Sequence, residues 1–85
     1  MKIWIRLLTD NKLVQDKIYL CDAINSTEKF EEVLRDVCHE LDLPTPVVLD
    51  AHFINLIRFH NAKFRPDDFV EALDYDIMIV EDCKE

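Results

Sequence analysis

The chain has 85 residues, a formal net charge of −8, and a composition that is 49 % hydrophobic and 33 % charged. This length supports one small domain, and the composition is that of a globular protein and not of a disordered one. The acidic balance argues against nucleic acid and anionic membranes as partners, because both are bound by clustered Lys and Arg. Residues 1–4 lead into an alternating pattern and no apolar run approaches the roughly 18 residues of a membrane span, so we expect a cytoplasmic protein.

The chain contains no glycine. Phosphate-binding loops, dinucleotide-binding fingerprints and nucleophile elbows are therefore excluded, because each needs Gly where the backbone approaches a ligand or takes a positive φ. Tight turns must instead place Asn or Asp in left-handed backbone, and the candidates are Asp10, Asn11 and Asn61.

Three cysteines, Cys21, Cys38 and Cys83, are an odd number at wide spacing. Neither a disulfide framework nor a zinc ribbon has this pattern, so the sequence predicts three free thiols.

The N-terminal quarter of the chain predicts a β-hairpin. Residues 2–8 alternate, with Ile3, Ile5 and Leu7 on one face, and a second run covers residues 13–21 after a polar stretch. The turn lacks the glycine of the strongest two-residue hairpin turns, so a longer or bulged connection also fits.

A helix is predicted over residues 26–41, where Asn25 and Glu28 have the spacing of a capping box. Its apolar stripe consists of Phe30, Val33, Leu34, Val37 and Leu41. The outer face carries acids four residues apart, which are Glu28, Glu32, Asp36 and Glu40. This row fits either a solvated face or an acidic docking face.

The most apolar segment covers residues 45–66. Thr45 as N-cap and Pro46 at the first helical position predict a helix that ends near His60. Such a helix is apolar on two sides, whereas a domain of this size usually covers only one side of a helix. We therefore predict an interaction surface on the second side, for a second copy of the chain or another protein. Its residues are Val47, Ala51, Ile54, Ile57 and Arg58.

The C-terminal part predicts a short helical turn near Pro66 and a closing strand over residues 75–81. That strand is apolar on both faces, so we place it inside the sheet beside the first strand. The predicted fold is α+β, a single domain over residues 1–85 with a hairpin, two helices and a closing strand. Its three-stranded sheet has both helices on one face.

Two resemblances add to this interpretation. The order of hairpin, helix, break at residues 43–46 and closing strand resembles the ubiquitin-like β-grasp, which implies a strand and not a helix over residues 54–60. The second resemblance, to a family of small uncharacterised bacterial proteins, rests on a Pro-Thr-Pro opening at residues 44–46, His52, and a Phe-x-Pro-Asp-Asp-Phe pattern that begins at Phe64. It implies no known activity.

The side chains that could bind a ligand give the main alternative function. A cavity between the central helix and the sheet, lined by His52, His60, Trp4 and Tyr19, would suit a small-molecule or metal-binding accessory protein. Two histidines two turns apart do not favour a metal, since structural zinc takes four ligands in closely spaced pairs. The simpler interpretation makes His52 a hydrogen-bonded core histidine. No nucleophile pattern is present, so we expect a non-enzymatic protein without metal or cofactor.

The charges are unevenly distributed. Residues 51–66 contain Arg58, Lys63 and Arg65 and no acid, and Phe59 and Phe64 lie between these bases. Aromatic and basic residues grip single-stranded nucleic acid, but three cations on an acidic domain are too few for that role. Local pairing also explains these cations, because a cation near a helix C-terminus favours the helix dipole and Arg65 can pair with Asp67, Asp68 or the acidic face of the first helix. The remaining option is that this basic edge meets the acidic face of another copy.

Overall fold

The structure of this chain, a computed structural model, describes residues 1–83 and has the α+β architecture that the sequence predicts. Lys84 and Glu85, the end of the predicted domain, lie outside the described residues. In chain order the elements are β1 (Lys2–Thr9), β2 (Lys12–Leu20), α1 (Thr27–Glu40), α2 (Asp50–Phe59), β3 (Asn61–Phe64), a 3₁₀ turn (Pro66–Asp68) and β4 (Ile77–Asp82).

The four strands form one antiparallel sheet in the order β2-β1-β4-β3. The closing strand β4 pairs with β1, as predicted. The prediction of three strands was wrong because it omitted β3, which has four residues and is too short to show alternation. β3 arises because α2 ends at His60 in a left-handed conformation (φ 62°), which turns the chain back along β4.

The hairpin closes with a two-residue turn, since Thr9 pairs with Lys12. Asp10 and Asn11 both have positive φ (53° and 64°), so these two residues perform the task that glycine usually performs in such turns. The irregularity lies in the strands, where the register shifts between Leu7 and Leu8. The expectation of a positive φ at Asn61 was wrong, because the preceding residue, His60, takes that conformation and makes the turn. Asp42 also has a positive φ, which was not predicted.

Helix α1 follows the prediction closely. The hydroxyl of Ser26 accepts a hydrogen bond from the backbone N–H of Lys29 at 3.0 Å, so Ser26 and not Asn25 is the capping residue. The helix buries Phe30, Val33, Leu34, Val37 and Cys38, and its predicted acidic row, Glu28, Glu32, Asp36 and Glu40, is exposed.

Helix α2 begins later than the sequence suggests. Its first residue is Asp50, whereas Pro46 is buried and forms an isolated β-bridge with Phe69. The N–H of Val47 donates to the carbonyl of Asp68 at 2.7 Å, which holds the chain extended before the helix starts. Residues 54–59 are helical, so the alternative that made residues 54–60 a strand was wrong.

Both helices pack on one face of the sheet, as predicted. Phe64 of β3 contacts Phe30 of α1 edge-on, with ring centroids 6.0 Å apart, and lies 4.3 Å from the ring of His52 of α2. The buried side chains of the sheet on this face are Ile3, Ile5, Leu7, Ala62, Phe64, Met78 and Val80. The core therefore lies between the sheet and the two helices.

Candidate interaction surface

Helix α2 contributes little to the core for a segment so apolar. Within the helix only His52 and Leu56 are buried, and Phe53 is half-buried. These residues share one side because positions three and four apart lie on the same face of an α-helix.

The opposite side of α2 is exposed and largely apolar. We call the set Val47, Ala51, Ile54 and Ile57 the α2 stripe; all four residues are exposed, as the predicted interaction surface requires. Ile54 and Ile57 leave 46 % and 53 % of their surfaces accessible. Val47 precedes the helix and borders the stripe from the segment that pairs with Asp68.

Charged residues lie at both ends of the α2 stripe. Asp50 occupies the first turn of the helix and Arg58 the last turn. The helix dipole stabilises a carboxylate at the first position and a cation at the second. The hydroxyl of Thr27 donates to one oxygen of Asp50 at 2.7 Å, which ties the start of α1 to the start of α2. Between the ends, Phe53, Ile54, Ile57 and Arg58 line a shallow depression of about 220 Å³.

His52 has a structural role in this arrangement. Its Nδ1 accepts a hydrogen bond from the backbone N–H of Leu49 at 3.0 Å, and its ring packs on Phe64. Because Nδ1 uses its lone pair in this bond, the neutral ring carries its proton on Nε2, which points toward the Asp68 carboxylate 3.8 Å away. Neither nitrogen then offers a lone pair for a metal or for base catalysis.

The other proposed ligand-lining residues lie apart. His60 caps the far end of α2, about 12 Å from His52 along a helix that rises about 1.5 Å per residue. Tyr19 pairs with Ile3 and therefore lies on the helix side of the sheet, whereas Trp4 lies on the other side. Trp4 consequently cannot line a cavity between α2 and the sheet.

The outer face of the sheet carries a second apolar region, but its centre is occupied by a polar network. The indole N–H of Trp4 donates to Asp16 at 2.9 Å, and the guanidinium of Arg6 stacks 4.2 Å from the centre of the Trp4 ring. Arg6 also pairs with Glu81 at 3.2 Å. At the margin of this face Leu20 is 73 % exposed. The α2 stripe is thus the apolar surface less interrupted by charge pairs.

The environments of Cys21 and Cys38 reduce the reactivity of their thiols. All three cysteines are free thiols, as predicted. Burial raises the pKa of Cys38 to about 11, and desolvation is also the main cause that raises the pKa of Cys21. A thiol with so high a pKa is protonated at neutral pH and is a poor nucleophile.

The residues expected to form one basic edge divide between two surfaces. Arg58 belongs to the end of the α2 stripe, and Phe64 is buried. Lys63 and Arg65 instead lie together in a groove of about 500 Å³, which we call the β3 groove. Its lining residues are Asn55, Phe59, Asn61, Lys63 and Arg65. Asn55 and Asn61 were not singled out as binding residues, because only the existence of β3 brings them beside these cations.

Comparisons with known proteins return no relative: no family model, curated protein or solved structure matches this chain. Both resemblances seen in the sequence stay predictions. Within residues 1–83, no helix has the length and apolar character needed to cross a membrane. In the same part of the chain, no three His, Cys, Asp or Glu side chains are grouped so as to hold a metal ion.

Proposed function

We propose that this chain is a protein-interaction module that self-associates through the α2 stripe. The observation that carries the proposal is the exposure of Ile54 and Ile57 on a helix whose other side is already packed on the sheet. Exposed contiguous apolar surface with a charged rim is typical of interaction sites. The binding role is also supported by His52 and Cys38, whose environments do not suit catalysis.

The distribution of residues along α2 favours a second copy as the partner. A two-fold contact joins a surface to itself, so two α2 helices centred on Ile54 would run antiparallel. Residues at equal distances on either side of Ile54 then meet at the same level. Ala51 would lie at the level of Ile57 of the second copy, where its small side chain leaves room for the larger one.

The charges fit the same arrangement. Asp50 and Arg58 each lie four residues from Ile54, about 6 Å along the helix axis. In the antiparallel pair, Asp50 of each copy lies at the level of Arg58 of the other. Two opposite-charge pairs would therefore flank the apolar centre, and a shifted or parallel pairing of the helices would lose them.

The first test changes the centre of the stripe. Ile54 is already about half buried, so its further burial is worth about 1 kcal/mol per copy and about 2 per dimer, or about 30-fold in Kd. We expect Ile54→Lys to be a folded monomer under conditions where the wild-type chain self-associates. Light scattering after size exclusion, in reducing buffer over a range of protein concentrations, measures the mass. Val70→Lys is the matched control, because Val70 is 89 % exposed and lies outside the stripe.

The second test reverses the charges. Asp50→Arg and Arg58→Asp should each weaken self-association by about tenfold at low salt, because each places like charges at both pairs. Combining the two substitutions should restore most of the affinity. Arg35→Asp on α1 is the control for Arg58→Asp, because both variants replace Arg by Asp and change the net charge equally. A wild-type chain that stays monomeric, or an Ile54→Lys chain that still self-associates, contradicts the proposal.

The free thiols support a reducing compartment, such as the cytoplasm, as the place where this module works.

A further inference from the structure

The free edge of β3 is another surface that the fold leaves open; within residues 1–83, β2 and β3 are the two edge strands of the sheet. β3 is an outer strand of the sheet, because β4 pairs with one of its sides only. The β3 groove follows this edge and is lined on one side by Asn55 and Phe59 of α2.

The register of the sheet determines which backbone groups face the edge. The N–H of Asp82 donates to the carbonyl of His60 at 2.7 Å, which makes these two residues a hydrogen-bonded pair. Such pairs alternate along an antiparallel ladder, so Ala62 and Phe64 also bond to β4. The N–H and C=O groups of Asn61 and Lys63 therefore point away from β4, toward the groove.

The charges of the groove complement an acid. Lys63 and Arg65 are both exposed, and neither forms a salt bridge with the residues that the structure describes, 1–83. The backbone N–H of Arg65 donates a hydrogen bond to the Asp68 carboxylate at 2.9 Å, which fixes the backbone just after the end of β3.

We propose that the β3 groove binds an extended acidic peptide, which adds to the sheet as a strand beside β3. The outward backbone groups of Asn61 and Lys63 would pair with the peptide backbone, and Lys63 and Arg65 would pair with its carboxylates. This proposal goes beyond self-association and does not depend on it.

The same features disfavour the other occupants of an open edge. Two copies of β3 would place Lys63 and Arg65 of one copy against the same cations of the other, which is the usual way in which edges avoid pairing with themselves. A nucleic acid could pair with the two cations, but it lacks the alternating backbone donors and acceptors that a strand edge requires, and would leave the C=O groups of Asn61 and Lys63 without donors. An acidic peptide satisfies both the charges and the backbone.

The test uses a capped peptide of alternating Glu and Val as the probe, titrated into the ¹⁵N-labelled full-length chain. We expect saturable shifts of the Asn61 and Lys63 amide signals. A second peptide, N-methylated on the residues whose N–H groups face β3, should lose binding, because methylation removes the strand hydrogen bonds and keeps every charge. Equal binding of the two peptides, or no binding of either, overturns the proposal.

Substitutions in the chain supply the complementary evidence. Lys63→Glu with Arg65→Glu should weaken peptide binding about tenfold, whereas Arg35→Glu on α1, which makes the same type of charge change at a distance, should not. An oligothymidylate that binds the groove more tightly than the peptide would also overturn the proposal. Ile54→Ser, which targets self-association, should leave the peptide Kd within about twofold, so the failure of one proposal can be distinguished from the failure of the other.

Discussion

Substituting His52 tests whether the start of α2 depends on a side chain that is not a conventional N-cap. The ring performs two structural tasks, since Nδ1 accepts the N–H of Leu49 and the ring face packs on Phe64. His52→Phe removes the hydrogen bond and keeps a ring of similar shape. His52→Ala removes both contributions.

The two costs can be separated by magnitude. Loss of an N-terminal capping hydrogen bond costs about 1 kcal/mol, which corresponds to a fall in Tm of about 4 to 8 °C for a domain of this size. Loss of the buried ring adds a large-to-small penalty of about 2 to 4 kcal/mol. The total for His52→Ala approaches the roughly 5 kcal/mol at the low end of the stability range of small domains, so that variant should be largely unfolded near its working temperature.

Urea unfolding followed by circular dichroism measures both variants. Ser26→Ala is the matched control, because it removes one capping hydrogen bond, from Lys29, at the start of α1. We expect His52→Phe and Ser26→Ala to cost similar amounts. If His52→Phe is as stable as the wild-type chain, the Leu49 hydrogen bond contributes nothing. If His52→Ala costs no more than His52→Phe, the packing on Phe64 is unimportant, and either result refutes the argument.

Two further predictions concern the turn and the buried thiol. Asn11→Ala should lower the free energy of unfolding by about 1 kcal/mol, because Ala has a Cβ that is penalised at a φ of 64° and lacks the polar side chain with which Asn offsets this penalty. Asn11→Gly should stay close to the wild-type value, because glycine has no Cβ; thermal unfolding compares the two. The pKa of Cys38 is raised from about 9 to about 11 in the folded chain, so the unfolded chain loses this proton at a lower pH. The free energy of unfolding should therefore fall as the pH rises from about 9 to 11. Cys38→Ala should show a smaller loss over that range in urea titrations, and identical pH profiles would contradict the assignment.

The parts of the fold that could be predicted are those with strong local signals. Helix α1 combines a continuous apolar stripe with Ser26 at its start, and residues 27–40 are helical as expected. Strands β1 and β4 show alternation or a continuous apolar run, so their existence and pairing followed from the pattern.

The parts that failed depend on contacts between distant residues. Thr45 and Pro46 form a good local start signal, but the bond from Val47 to Asp68 keeps this segment extended. The helix then starts where His52 can reach back to Leu49, and His is not among the residues expected at a cap. Local propensity is a weak guide wherever tertiary pairing competes with it.

The same distinction applies to the candidate surfaces. The exposure of the α2 stripe could be predicted, because the sequence of this helix has more apolar residues than one face packed on the sheet can bury. The β3 groove was not, because β3 carries only four residues and the groove exists only after it pairs with β4. The separation of Trp4 from Tyr19 depends on the register shift between Leu7 and Leu8. Without that shift the two-residue turn at Asp10 and Asn11 would pair Tyr19 with Lys2, on the face of Trp4.

The geometry of α2 allows its two open surfaces to be used together. Successive residues on a helix are rotated by about 100°, so Asn55 and Phe59 lie well away from the direction of Ile54. One side of α2 faces the sheet, a second presents the α2 stripe, and a third borders the β3 groove. A two-fold dimer formed through the stripe would therefore keep both β3 edges free. A partner with two acidic segments on one flexible chain could then bind both edges, and the second binding event would gain from the high effective concentration that the first creates. Self-association would thus strengthen peptide capture without changing either groove.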